Sequence, residues 1–284
     1  MRLHTLALVS FLSSFVSAGA VPNKGGFRLM WSDTFQGNAG QGPDLGKWKI
    51  ITGIHTNNEV QDYTTSNQNI QISGGGSIQF IPLKTAKGWT SGRIESKYTF
   101  TPQAGKATII EGKIRFGDSP AANKQGIWPA FWLLGDVIHQ GTPWPRCGEL
   151  DIMENINGAP QGYGTIHCGS TPGGPCNEPI GLPSSTPLTD NGWHTWTLKI
   201  DRSAAGGKDF RQEALQWSID GKVFKTLTGA QIGDQAIWAT LAHSPLFMIL
   251  NVAVGGDWPG APNGNTLGSW GSMMEVEYVA VYSN

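Results

Sequence analysis

Gly148-Glu149-Leu150-Asp151-Ile152-Met153-Glu154 sets three carboxylates into an otherwise apolar run. Charged residues make up only 14% of the chain, against about 25% in an average domain, so acids clustered in this way stand out. An extended strand turns alternate side chains to opposite faces, and Glu149 and Asp151, two apart, share one face. Glu154 has the wrong parity. A β-bulge near Ile152-Met153 supplies the one extra residue that returns it to the face of the other two. Two readings fit this bulged strand: an acidic face turned to solvent, or a reactive one.

Working outward, strand-like segments with turn signals between them recur at 27–33, 77–84, 93–100, 108–116 and 128–134 before the acidic strand. After it they recur at 163–168, 193–201, 214–219, 222–227, 247–254 and 274–282. Asp220-Gly221 between two such segments is a two-residue hairpin signal. Helical periodicity is poor, and at most a short turn at 235–241 qualifies. The stretch 169–191 reads as a long Pro-, Gly-, Ser- and Thr-rich loop, functional or mobile. With 39 Gly, 17 Pro and 12 Trp, the composition favours many short strands over helices. The expected fold is all-β: a β-sandwich of two curved antiparallel sheets, jelly-roll and concanavalin-like, with a cleft on the concave face. One domain is expected over 21–284, since sandwiches of this length commonly form a single unit.

Residues 1–20 read as a secretory signal peptide, with a basic start at Arg2, an apolar stretch from Leu6 to Val16 and small residues around Ala18. No later apolar run reaches membrane-spanning length, so a secreted, extracellular protein is expected. A net charge of −1 gives no footprint for nucleic acid or an anionic membrane; a neutral partner fits better, and a monomer is expected. Of the three cysteines, Cys168 and Cys176 bracket a Gly/Pro loop and are the first choice for a disulfide. Cys147–Cys168 competes, because a hairpin near Asn157-Gly158 would bring those two strands together. Cysteine and histidine spacing does not suit zinc.

Two long acids with a shorter one between them supply what glycoside hydrolysis needs, a nucleophile, a proton donor and a group to tune them. Aromatic side chains cluster around the same strand: Trp128 and Trp132 precede it, Trp144 leads into it, and Trp258 follows a Gly-Gly-Asp turn late in the chain. Indole faces stack on the apolar faces of sugar rings. Trp31, Trp48, Trp193, Trp196 and Trp217 sit in strand-like stretches and are assigned to core packing.

Five motifs in order resemble glycoside hydrolase family 16 over most of the chain. They are Asn57-Asn58-Glu59-Val60-Gln61-Asp62-Tyr63, Ser91-Gly92-Arg93-Ile94, Gly126 to Gly135, the acidic heptapeptide in the bulged form typical of laminarinase-type members, and Leu250 to Gly256. The resemblance implies Glu149 as nucleophile, Glu154 as acid/base and Asp151 as the group that orients and tunes them. It further implies Asn58, Arg93, Trp128, Trp132, Trp144, His167, Asn251 and Trp258 as substrate-cleft residues; for His167 a purely structural role is the competing reading. The strand holding 274–282 has Glu277 and Ala280 where the family often carries Asp and Arg, which leaves a structural calcium doubtful. No cofactor is required by the chemistry. The implied activity is endo-acting, retaining hydrolysis of a β-1,3-linked polysaccharide, either laminarin-type glucan or mixed β-1,3/1,4-glucan. An endo-β-1,3-galactanase, a β-glucan transglycosylase and a non-catalytic carbohydrate-binding lectin are the alternatives.

Overall fold

The computed structural model describes residues 20–284; the expected leader therefore lies, apart from Ala20, outside the described residues. Strands are numbered along the chain. The sheet that carries the acids has seven strands in the order β13 (Ser184–Pro187), β12 (Gln161–His167), β11 (Glu149–Glu154), β10 (Ile127–Gly135), β17 (Leu246–Val254), β8 (Arg93–Phe100) and β2 (Trp48–Ile50). Its neighbours all pair antiparallel. The second sheet runs β16 (Lys222–Thr228), β15 (Ala214–Ile219), β14 (His194–Asp201), β9 (Ala107–Phe116), β18 (Met274–Ser283), β5 (Ile78–Phe80) and β4 (Ile70–Ile72), with β1 (Arg28–Asp33) also on β18. A small third sheet joins β3 (Gln61–Tyr63), β7 (Gly88–Ser91) and β6 (Leu83–Thr85). Two short helices, α1 (Gly229–Ile232) and α2 (Gln235–Ala242), complete the regular structure used below.

The two large sheets face each other across one core. Phe131, Leu133, Leu150, Ile152, Ile166, Leu250 and Val252 from the acid-bearing sheet meet Ile110, Trp196, Leu198, Leu215, Trp217 and Val279 from the other. Period-two alternation is what allows this up to the bulge: Leu150 and Ile152 of β11 point inward while Glu149 and Asp151 point out. Contact between the layers is close enough to dictate sequence. A Cβ on Gly162 would stand 2.1 Å from Trp196 Cη2, and one on Gly164 2.6 Å from Trp217 Cδ1; any larger residue on β12 would push the indoles out of the core. Trp217 also donates its indole N–H to the Asp151 carbonyl at 2.8 Å, pinning β11 from behind.

The expected all-β sandwich is what the chain forms. The expected strand at 77–84 is instead two short strands, β5 and β6, interrupted at Pro82, which cannot donate to a ladder. Residues 169–191 are not all loop: β13 lies within them and pairs with β12 from Gln161↔Pro187 to Gly164↔Ser184. Trp48, Trp196 and Trp217 are fully buried as expected. Trp31 and Trp193 are only half-buried. Trp31 stacks on Tyr98 at 5.5 Å, and Trp193 lies under Lys113 and Arg115. The expected hairpin turns at Asp220-Gly221, where φ is 48° and 77°, the left-handed pair that a two-residue turn of this kind needs. Cys168 and Cys176 form the disulfide and Cys147 is free and buried.

Candidate active site

The bulge lies where parity demanded it. Along β10, Trp132 pairs with Asp151 and Phe131 with Met153, so Ile152 is the extra residue. Ile152 and Met153 are both buried in the core, and Glu154 returns to the outer face. Glu149 and Glu154 sit opposite Leu134 and Ala130, four residues apart on β10, about 13 Å along a strand at 3.3 Å per residue. The long side chains must lean toward each other over Asp151 to act on one bond.

Each acid has a distinct set of partners. Glu154 accepts from Trp128 Nε1 at 2.9 Å with Oε1 and from Thr165 Oγ1 at 3.1 Å with Oε2. Asp151 Oδ2 is buried without a hydrogen-bond donor. His167, paired with Glu149 across β11 and β12, places Nε2 at 3.6 Å from Asp151 Oδ2 and 3.9 Å from Glu149 Oε1. All three acids are held above the ordinary carboxylate range, chiefly because burial disfavours charge. Glu149 is pushed up to about 7, with His167 pulling it down and Glu154 pushing it up. Asp151 is raised further by repulsion from Glu154 and Glu149; lacking a donor, it is the natural holder of a shared proton. Glu154 is raised less freely, since the Trp128 and Thr165 hydrogen bonds and the His167 charge favour its ionised form. Trp128 can only donate, but the Thr165 hydroxyl can donate or accept, so a proton on Glu154 Oε2 keeps a partner.

Every expected cleft residue comes to this face. Trp132 donates to Asn251 Oδ1 at 2.8 Å, Asn251 in turn donates to Tyr63 OH at 3.1 Å, and Arg93 covers the Trp132 ring at 4.9 Å while pairing with Glu95. Trp144 packs on His167 with ring centres 5.5 Å apart. Trp258 meets Trp128 edge-on at 5.6 Å and Tyr163 at 5.0 Å. Asn58 donates to Asp257 at 2.8 Å, joining the 55–60 loop to the turn before Trp258. Thr165 and Tyr163 were not anticipated; standing two and four residues before His167 on the same strand face, they were within reach of the parity argument. Glu178 was also missed. It accepts from the Cys168 backbone N–H and pairs with His167 Nδ1, each at 2.8 Å, and no local pattern in an irregular loop announces it.

The donor atoms of Glu149, Asp151 and His167 lie within 4.8 Å of one another. His167 Nδ1 is already paired with Glu178, so the ring turns only Nε2 toward the two acids. The terminal strand does not fit calcium either: its acids Glu275 and Glu277 are each matched at 2.6 Å, to Arg115 and Lys113.

Buried paired glutamates on a bulged strand, in an indole-lined cleft of a β-sandwich, define a glycosidase of the two-carboxylate class. Residues 55–180 match the family model described as XgeA-like, catalytic GH16 domain. The chain is 36% identical to the endo-1,3-β-glucanase of Streptomyces sioyaensis, whose crystal structure superposes with a TM-score of 0.86 over 93% of this chain and 99% of that one. It is 28% identical to glucan endo-1,3-β-glucosidase A1 of Niallia circulans over 92% of its own length but only 38% of that protein's. It is also 28% identical to the β-glucanase of Rhodothermus marinus, over 90% of this chain and 85% of that protein. The chain belongs to glycoside hydrolase family 16.

Proposed function

We propose that this protein is an endo-acting, retaining β-glucanase that hydrolyses internal bonds of β-1,3-linked glucan. The observation that carries the reading is the return of Glu154, across the Ile152 bulge, to the face of Glu149 and Asp151. The activities for which the Streptomyces, Niallia and Rhodothermus relatives are named point to the same polymer class. A glycosidase that retains configuration needs a carboxylate nucleophile and a protonated partner at about 5–5.5 Å. Glu149 attacks the anomeric carbon as Glu154 gives its proton to the departing glycosidic oxygen, so the C–O bond breaks while a glycosyl ester forms on Glu149. Glu154, now ionised, takes a proton from water as the water attacks the same carbon and releases Glu149. Asp151 holds a proton beside the nucleophile and limits the negative charge of the cleft. Trp128 and Trp258 supply stacking surface along the cleft, and Trp132, Asn251 and Arg93 form a linked polar floor.

Secretion belongs to the same reading, supported by the leader-like 1–20 segment and by a disulfide, which persists in oxidising compartments. The decisive experiment is reducing-end release with chain-length analysis on laminarin, mixed-linkage β-glucan and β-1,3-galactan. Internal oligomers from laminarin that vanish in Glu149→Gln support the proposal. Binding without any cleavage would instead favour a lectin, and elongated products without new reducing ends a transglycosylase.

A further inference from the structure

His167 is held on its far side by a residue outside the catalytic strand. Glu178 is a fourth carboxylate in this region and is 3% exposed. Its two oxygens are spent on His167 Nδ1 and the Cys168 N–H, so its position is fixed relative to the end of β12. The loop that carries it is braced three times. Cys168 is joined to Cys176, eight residues on; Gly173 and Glu178 exchange both backbone hydrogen bonds, at 2.7 and 2.6 Å; and Leu182 N–H returns to Ile166 O at 2.9 Å. The loop then presses on the ring itself. A Cβ on Gly181 would lie 2.6 Å from His167 Cε1, at a backbone φ of +74° that also favours glycine.

This geometry fixes how the imidazole presents itself. Nδ1 faces an acceptor-only carboxylate and so carries a proton. Nε2 then faces Asp151 and Glu149 at 3.6 and 3.9 Å, where a second proton makes the ring a cation among acids. Burial opposes that charge, but the Glu178 hydrogen bond and the fields of Glu149, Glu178 and Glu154 outweigh it and raise the His167 pKa. The remaining neighbours are the uncharged Trp144 ring, Arg93, which acts on Glu149 from β8, and Lys225, which acts on Asp151 from β16. Lys225 donates to the Gly164 and Leu182 carbonyls.

We propose that Glu178, mounted on the Cys168–Cys176 loop, is a positioning residue that holds His167 as an imidazolium over Asp151 and Glu149, so that the nucleophile stays ionised in an acid-crowded cleft. The effect on rate rests on the β-glucanase reading above; the effect on His167 does not.

The test uses protein labelled with ¹³C at histidine Cε1, with the His167 signal assigned by its loss in His167→Asn. In the wild type its titration midpoint is expected above the ordinary value of about 6.5. In Glu178→Gln the midpoint is expected to fall by at least about one unit, a tenfold change in proton affinity. Glu178→Asp should restore part of that fall. The acid limb of kcat/KM on laminarin should move to higher pH in Glu178→Gln, because Glu149 loses its cation. The Cys168→Ser/Cys176→Ser double variant should move both readouts in the same direction, and it answers the question if Glu178→Gln does not fold. A wild-type midpoint at or below 6.5, or a midpoint unmoved by Glu178→Gln and by the double variant, overturns the proposal. So does a lowered midpoint with an unmoved acid limb. A lowered midpoint with no turnover on any β-glucan would sink the enzyme reading while leaving the Glu178–His167 coupling in place.

Discussion

Glu149 and Glu213 are both carboxylates withdrawn from water, and the molecule treats them oppositely. Glu213, with a fully buried side chain, accepts from Arg202 Nε, Trp238 Nε1 and His243 Nε2. Burial pushes its pKa up, but the three donors and the His243 charge outweigh burial and lower it. Among the described residues Glu149 has only His167 Nε2 near it, at 3.9 Å, with Glu154 and Glu178 pushing its pKa up, and burial wins. The difference teaches that burial alone raises a carboxylate, and that a matched set of donors turns the same burial into a structural anchor. Glu213 ties β15 to α2, whereas Glu149 stands on an open face with few partners.

The largest expected effect separates the two regions by activity. Glu149→Gln should cut kcat on laminarin by about 10⁴-fold or more, as losing a nucleophile does in comparable enzymes. Its thermal midpoint should not fall, because a poorly solvated charge has been removed. Glu213→Gln should do the reverse: specific activity per folded molecule is kept while stability drops by about 3–5 kcal/mol, the usual cost of orphaning one side of a buried charge pair. Urea unfolding and initial rates on the same preparations check both, and a Glu149→Gln protein as unstable as Glu213→Gln would collapse the distinction.

The second effect is on stability as a function of pH, and the two signs oppose. Glu149 has a folded pKa of about 7 against an unfolded value of about 4.3. The folded state therefore binds more protons between those values, and stability falls as pH rises from about 4 to 7. Glu213 is depressed, so the stability it gives is complete above its unfolded value and is lost as pH falls through the lower folded value. Thermal midpoints across pH 3–8 should show the neutral-side decline flattened in Glu149→Gln and the acid-side drop reduced in Glu213→Gln. A neutral-side decline of unchanged slope in Glu149→Gln would mean that the cleft acids titrate normally.

What the sequence made legible divides along similar lines. The bulge at Ile152-Met153 followed from parity alone, because three acids on one face and an apolar core on the other leave no other register. The cleft indoles at 128, 132, 144 and 258 were legible because each flanks the acidic strand or a Gly/Pro turn. Glu178 and Glu213 were not legible, since each is defined by partners 10 to 30 residues away and neither falls in a periodic segment. The strand β13 was hidden by its own residues: Ser184-Ser185-Thr186-Pro187 is a turn-like composition that becomes a strand only because β12 offers it an edge. Trp193 was misassigned to the core because strand periodicity cannot say whether Lys113 and Arg115, rather than apolar side chains, will cover an indole.

The smallest effect probes the acid within the cleft that has most in common with Glu213. Of the three acids Glu149, Asp151 and Glu154, only Glu154 has both oxygens hydrogen-bonded among the described residues, by Trp128 and Thr165. The indole N–H is bound only to the ionised form's advantage, so Trp128→Phe should raise the Glu154 pKa and move the alkaline limb of kcat/KM to higher pH. A hydrogen bond to a charged group contributes about 1.5–3 kcal/mol and 1.36 kcal/mol is one pKa unit; in a half-open cleft the lower end applies, a shift of about one unit. Thr165→Val should shift the limb less, because the hydroxyl serves the protonated acid as an acceptor nearly as well as it serves the carboxylate as a donor. Equal shifts in the two variants would mean that Thr165 acts as a donor alone. Glu154 would then resemble Glu213, an anchored carboxylate, and its role as proton donor would have to pass to another group.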